Sequence, residues 1–297
     1  MPFSRVKKAL FRLFAIMLGL LIFFPVGYFV LGDSYPAATQ IIPHPSSPNG
    51  VVAYIINLDR SKERYAYVEP PVRQLGYPVE RISGIDGKLL PAAELNRLVD
   101  FSSYKKFLGH TPQRGTIGCS LSHIKAWQTF LQSNYKYALI FEDDVSFDPP
   151  RLAAAVTDLQ TVTTDWDLNN FETSHSGMPL TLHKFADHTK LVLYLTEISH
   201  AGAYIITRPA AQKLLAKALP IKMPIDHYFT RGWELDLKFT GIEPRLVTQQ
   251  YGDSEIAKTS AQYSPAIDKQ GTGILKALYK FQSYTIRFLY NLKTYII

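Results

Sequence analysis

The sequence is short of cysteine and, at both ends, of acid, and each shortage closes off a class of protein. Cys119 is the single cysteine among 297 residues, which excludes an intramolecular disulfide framework and a cysteine-rich zinc site. Residues 1–32 hold Arg5, Lys7, Lys8 and Arg12 without one acid, and residues 273–297 hold Lys276, Lys280, Arg287 and Lys293, again without one. Those eight bases account for the whole net charge of +7, because 24 bases face 25 acids between residues 33 and 272. A near-neutral middle lacks the broad basic face of a nucleic-acid-binding domain, so no nucleic-acid partner is expected; the excess charge reads as attraction to anionic lipid at two apolar ends. What the middle does have, within a chain that is 46% hydrophobic and 19% charged, suits one sizeable globular core. No internal repeat is found.

From Leu13 to Gly32 there are twenty residues without a charge, about 30 Å of helix and so the thickness of a bilayer's hydrocarbon core. The bases before this run and Asp33 after it predict an N-terminus in the cytoplasm and a single transmembrane pass. A cleaved signal peptide is the competing reading, although the run exceeds the usual length of an h-region. Residues 33–50 hold Pro36, Pro43, Pro45 and Pro48 with serines, Asn49 and Gly50, the composition of an extended stem.

Beyond the stem, short β-branched runs alternate with amphipathic stretches. Val51–Leu58, Pro78–Ser83 and Tyr137–Phe141 predict buried strands, as do segments near 166–168, 191–195 and 203–207. Ile117, Leu121, Ile124, Trp127 and Leu131 recur at three and four, which predicts a helix with one buried face; further helices are expected near 60–75, 151–160 and 209–218. Pro70 and Pro71 are expected to break the first of these. The alternation predicts an α/β domain with a mainly parallel sheet, whose ligands bind at the carboxyl ends of the strands.

The sharpest local feature is Glu142-Asp143-Asp144, directly after the strand Tyr137–Phe141. Three adjacent negative charges repel, and a hard divalent cation with oxygen ligands relieves that repulsion; a solvated acidic turn is the alternative. If the strand continued through the triplet, Glu142 and Asp144 would share a side and Asp143 would face away.

Six blocks now fall into one order: INLDRSKER (Ile56–Arg64), Gly84-Ile85-Asp86-Gly87, GTIGCSLSHIKAWQ (Gly115–Gln128), ALIFEDDV (Ala138–Val145), HAGAYIIT (His200–Thr207) and PIDHYF (Pro224–Phe229). In order and approximate spacing, from about Val51 to Ile256, they resemble the family 25 glycosyltransferases, among them lipopolysaccharide galactosyltransferases of bacteria and collagen galactosyltransferases of animals. The resemblance implies a GT-A-like nucleotide-sugar-binding fold across residues 51–260, a UDP-sugar donor, a glycan or glycoconjugate acceptor, and inversion at the anomeric carbon. It implies that Glu142-Asp143-Asp144 is the counterpart of a D-x-D motif holding Mn²⁺ or Mg²⁺ against the diphosphate.

Around that motif, Asn57, Arg60 and Arg64 stand where the nucleotide enters, the two arginines one helical turn apart. Asp86 is a candidate for uracil or ribose, or else a turn aspartate bonded to its own backbone. Ser122 and His123 are polar site candidates, and Lys125 is either a phosphate contact or an exposed lysine. An inverting transfer needs a base, for which Asp226 is the candidate; helix capping is its other reading. His227 is a further possible metal ligand. Glu172, Asp167 and His200 are candidates for the acceptor side.

In the tail, residues 273–297, the positions Lys276, Lys280, Ser283, Arg287, Asn291 and Thr294 form one polar stripe on a helix that is otherwise apolar. An amphipathic helix lying on anionic headgroups is the expectation, with packing against the domain as the other reading. The combined reading is a membrane-bound hexosyltransferase using UDP-galactose, with a metal-dependent phosphoesterase and a non-catalytic glycan-binding module as rivals. Its compartment is either a Golgi-type or bacterial inner membrane crossed once by residues 1–32, or a cytoplasmic domain docked on the membrane's inner face.

Overall fold

β1 (Val51–Asn57) is buried along its whole length, because its alternate side chains feed two separate cores. Val52, Tyr54 and Ile56 point to one face of the sheet, and Val51, Ala53 and Ile55 to the other, as the two-residue period of a strand requires. A strand apolar on both faces belongs inside a sheet, and β1 lies between two parallel neighbours.

In this computed structural model the described residues are 50–163, 165–173, 177–249 and 273–296. After β1 the chain forms α1 (Lys62–Arg73), β2 (Val79–Ser83), α2 (Ala92–Leu98), α3 (Phe101–Leu108), α4 (Arg114–Gln132), β3 (Tyr137–Glu142), β4 (Val145–Phe147) and α5 (Pro149–Leu159). There follow β5 (Leu168–Asn170), β6 (Pro179–Lys184), β7 (Lys190–Tyr194), β8 (Ala203–Thr207), α6 (Arg208–Leu215), α7 (Ile225–Phe229), α8 (Gly232–Leu235), β9 (Phe239–Glu243), β10 (Val247–Gln249) and α9 (Gly273–Ile296). Eight strands form one mixed sheet in the order β2-β1-β3-β8-β5-β9-β7-β6, and β10 pairs with β4. Pairing is parallel in β2-β1-β3 and β5-β9, and antiparallel elsewhere. The expected parallel arrangement therefore holds for the part that carries the carboxylates.

Two expectations are corrected. α1 runs through Pro70 and Pro71 to Arg73. The prolines stand in its last turn, where the two amide donors they lack interrupt the hydrogen bonding only near the helix end. The polar stripe of α9 faces the domain and not a membrane. Ser283 and Arg287 are buried, Lys276 Nζ donates to the Leu108 carbonyl at 2.6 Å, and Asn291 Nδ2 donates to the Tyr194 carbonyl at 2.6 Å. Arg287 lies over the Trp233 ring, 5.1 Å from its centroid. The ends of α3 and β7 offer unpaired carbonyls that only polar side chains can satisfy, so the helix turns its polar side inward.

The anchor at 1–32, the stem to residue 49 and residues 250–272 lie outside the described residues. Among the described residues no helix is long and apolar enough to cross a membrane.

Candidate functional site

A cavity of about 150 Å³ opens at the carboxyl ends of β1 and β3, and Asn57, Arg60, Arg64, Asp86 and all three carboxylates line it. Its rear wall depends on a close approach of two glycines. A Cβ on Gly87 would lie 1.7 Å from the Arg114 carbonyl, and one on Gly118 would lie 2.4 Å from the Ile85 carbonyl. Only hydrogen at both positions lets α4 meet the Asp86 loop. Ser122 fastens the same joint: its Oγ accepts from Ile85 N at 2.7 Å and donates to the Gly118 carbonyl at 2.7 Å.

Asn57 is buried at the end of β1, donating from Nδ2 to Asp143 Oδ2 at 2.7 Å and to the Ser61 carbonyl at 2.9 Å. Arg64 bridges two acids, with Nε 2.9 Å from Asp143 Oδ1 and a terminal nitrogen 2.5 Å from Asp144 Oδ2. Arg60 pairs with Asp86, which also caps the following 3₁₀ turn by accepting from Lys88 N. Asp86 thus adopts the self-bonded turn geometry while lining the cavity.

Glu142 points elsewhere. β3 ends at Glu142, so strand alternation does not reach Asp143 and Asp144; these two share Arg64 and Glu142 turns to α4. This corrects the pairing of Glu142 with Asp144. His123 Nε2 lies 3.1 Å from Glu142 Oε1, and Cys119 Sγ lies 3.6 Å from the same oxygen. Behind His123, its Nδ1 is 2.9 Å from Tyr204 Oη, which accepts from Trp127 Nε1 at 2.8 Å. Because Tyr204 already accepts from the indole, its own proton can go to His123 Nδ1, with the ring donating from Nε2 to Glu142. Cys119, His123 and Glu142 also bring potential ligand atoms within 4.8 Å of one another.

Burial raises Asp144 to about 7, with the charge of Glu142 adding to the shift and Arg64 opposing it. Burial likewise raises Asp143 against the pull of Arg64. For Glu142 burial is the largest single influence, but the His123 and Cys119 hydrogen bonds together with nearby positive charge outweigh it, and its pKa lies below the ordinary value.

A second polar cluster adjoins the first. Glu172 is buried after β5, accepting from Gly202 N at 2.8 Å and facing His200 Nδ1 at 3.1 Å. Burial raises Glu172, and its field reaches Asp144. The Glu172 hydrogen bond raises His200. His200 has a left-handed backbone, φ 84°, uncommon for a residue with a Cβ. Asp226 holds that turn, its Oδ2 accepting from His200 N at 3.2 Å and its Oδ1 from His227 N at 2.8 Å.

Other candidates are placed apart. His227 Nδ1 is 2.9 Å from Glu197 Oε1 and its ring stands edge-on to Phe107, so it is not brought to the carboxylates. Asp167 accepts from Lys238 N at the opening of β5, and Lys125 Nζ donates to the Ser83 carbonyl. The dyad of Glu172 with His200 had only a general acceptor-side expectation, and the Trp127–Tyr204–His123 chain had none. The paired glycines were visible as letters, but nothing local says that two of them meet.

The family model for glycosyltransferase family 25, described as an LPS biosynthesis protein, matches residues 51–229. The chain belongs to glycosyltransferase family 25. Within the family it is 25% identical over 265 residues to a protein of Rattus norvegicus called a probable inactive glycosyltransferase 25 family member 3, covering 81% of this chain and 46% of that one. It is 32% identical over 190 residues to a glycosyltransferase 25 family member of Drosophila pseudoobscura pseudoobscura, covering 59% and 29%. With procollagen galactosyltransferase 1-A of Xenopus laevis it shares 27% over 222 residues, 67% of this chain and 36% of that protein. The chain spans less than half the length of these family 25 relatives.

Proposed function

We propose that this family 25 chain transfers a hexose, galactose first among the candidates, from a UDP-sugar to a hydroxyl of a glycan or glycoconjugate, with inversion. The observation that carries this reading is the joining of Glu142, Asp143 and Asp144 with Asn57, Arg60 and Arg64 around one cavity at the ends of parallel strands. A divalent cation fits the donor set: all three groups are hard carboxylates, and Asp144 Oδ1 is a buried oxygen with no hydrogen-bond partner. Asp144 and Asp143 would hold Mn²⁺ or Mg²⁺, with Glu142 beside them, and when bound the ion neutralises charge on the leaving diphosphate.

The remaining work falls to the chain's own residues. Arg60 and Arg64 face the diphosphate, and Asp86 faces uracil or ribose. The acceptor hydroxyl attacks the anomeric carbon on the face opposite UDP, and the bond to the UDP oxygen breaks as the new glycosidic bond forms. The hydroxyl proton must pass to a base. Asp226 is the sequence candidate for that role, but both of its oxygens are taken up by the backbone N–H groups of His200 and His227. We assign the proton to His200 Nε2. Glu172 accepts the Nδ1 proton and sustains the imidazolium that forms, while Asp226 fixes the turn that carries the ring.

Membrane association through residues 13–32, crossing once with the N-terminus cytoplasmic, belongs to the same proposal and is supported by the uncharged run and its flanking bases. Calorimetric titration with UDP and Mn²⁺, together with transfer from UDP-galactose to saccharide acceptors, tests the transferase reading. Asp144→Asn should abolish metal-dependent UDP binding and transfer with the fold intact; undiminished metal-dependent binding by that variant refutes the site.

A further inference from the structure

α9 is an amphipathic helix mounted inside out. Its polar side is spent on the domain, through the bonds of Lys276, Arg287 and Asn291 already described. The opposite side is apolar and open: Leu278, Phe281, Leu289 and Ile296 are 56%, 57%, 53% and 72% exposed, and Phe288 and Tyr295 are exposed between them. Spacings of three, seven and eight place these residues along one stripe of a helix about 36 Å long. A surface helix in water has the reverse orientation, and contiguous exposed apolar stripes mark interaction surfaces.

Charge decides the occupant. No acid occurs between residues 273 and 297, and Lys293 is exposed at the edge of the apolar stripe. Lys106 from α3 is exposed and lies over the Tyr279 ring, 5.5 Å from its centroid, a second base beside the helix. A second copy seated on this face would oppose lysine to lysine, whereas anionic lipid headgroups would complement both. Phe281, Phe288 and Tyr295 recur at seven, so aromatic rings lie along the stripe, the residue type enriched at membrane interfaces. We infer that the outer face of α9 lies in the headgroup region of an anionic bilayer, with its apolar side chains inserted and Lys106 and Lys293 at the lipid surface. This rests on the membrane association proposed above and is independent of the transfer chemistry. Lipid is met by the apolar face, and the polar stripe is what fastens the helix to the enzyme.

The test uses the full chain reconstituted with vesicles of phosphatidylcholine and phosphatidylglycerol. In a Cys119→Ser background, single cysteines at Phe281, Phe288 and the exposed α1 residue Glu63 carry an environment-sensitive fluorophore, and circular dichroism confirms the fold of each variant. Lipids brominated on the acyl chains should quench labels at 281 and 288 at least twofold more than the label at 63, with a blue shift that weakens when phosphatidylglycerol is omitted. Vesicle flotation with equal quenching at all three positions overturns the inference while leaving the N-terminal anchor standing. Cross-linking between labels of two copies overturns it in favour of self-association. Failure of the full chain to float with the vesicles overturns both the docking and the anchor, and leaves the transferase reading to its own assay.

Discussion

Tyr204→Phe is the substitution that isolates one hydroxyl at the heart of the site. Tyr204 is fully buried in β8, and the change keeps the ring and its packing against Phe229 and His123. What is lost is the shared partner of Trp127 Nε1 and His123 Nδ1, at 2.8 and 2.9 Å. A buried polar group left without a partner costs about 1–3 kcal/mol, and two are stranded, so the expected loss is about 2–6 kcal/mol. The ring volume is unchanged, so no cavity term offsets or enlarges this figure. Urea unfolding followed by fluorescence and circular dichroism would measure it. The variant should also bind UDP and Mn²⁺ more weakly, because a released His123 no longer fixes Glu142. A loss below about 1 kcal/mol, or no coupling in a double-mutant cycle between Tyr204→Phe and Trp127→Phe, would refute the hydroxyl's role as the junction of that chain.

Other outcomes follow from the same geometry. Asp144 stands near 7 in the fold against about 3.8 free, so the metal-free protein should lose stability as pH rises from about 4 to 7, and Asp144→Asn should flatten that slope in chemical unfolding at pH 5 to 8. Glu197, held at about 2 by His227, gives the opposite slope only below pH 4.5 and leaves the window clear. His200→Gln should lower turnover about 10²–10⁴-fold with UDP affinity retained. Glu172→Gln should move the acid limb of kcat/KM to lower pH, since the amide can still accept from His200 Nδ1 but no longer supplies the negative charge that favours the imidazolium; an unmoved limb would leave Glu172 with packing alone. Gly118→Ala should destabilise the fold and weaken UDP binding, because the new methyl meets the Ile85 carbonyl and Gly87 backbone; equal thermal melts of variant and parent would refute the close approach.

The strands and the main helix were legible because their signals are local. The run Val51–Leu58 becomes β1, Tyr137–Phe141 becomes β3 extended to Glu142, and the periodic stretch from Ile117 to Leu131 lies within α4. β6 and β9 were not foreseen: Pro179–Lys184 is a largely exposed strand at the sheet edge with no buried alternation to read, and Phe239–Glu243, though buried inside the sheet, is a short run that includes Thr240 and Gly241. The antiparallel pairings of β8 were equally hidden, because register against β3 and β5 depends on partners 30 to 70 residues away. At the site, residue identities in the Glu142–Asp144 triplet were readable, but their directions were not: the strand ends at Glu142, two residues earlier than alternation through the triplet assumed. The tail is the clearest case, where the stripe was read correctly as a stripe and its facing was decided by carbonyls of α3 and β7 that the tail sequence does not contain.

The bond from Asn57 to Asp143 links residues 86 positions apart, and the one from Trp127 to Tyr204 links residues 77 apart. Such separations set an order of assembly. A chain emerging from the ribosome holds the Asp86 loop, α4 and the three carboxylates well before Tyr204 arrives, and until then His123 lacks its partner at Nδ1. Contacts of this span must be closed against loop entropy before they reward it. The cavity at the ends of β1 and β3 is therefore completed late: Tyr204 of β8 secures the His123–Glu142 joint, Gln249 of β10 lines the cavity later still, and a truncated chain ending before β8 would present the whole acidic triplet with Glu142 unsecured. Ligand binding can act as a measure of finished folding in this protein, since it reads a joint that no fragment of the N-terminal half possesses.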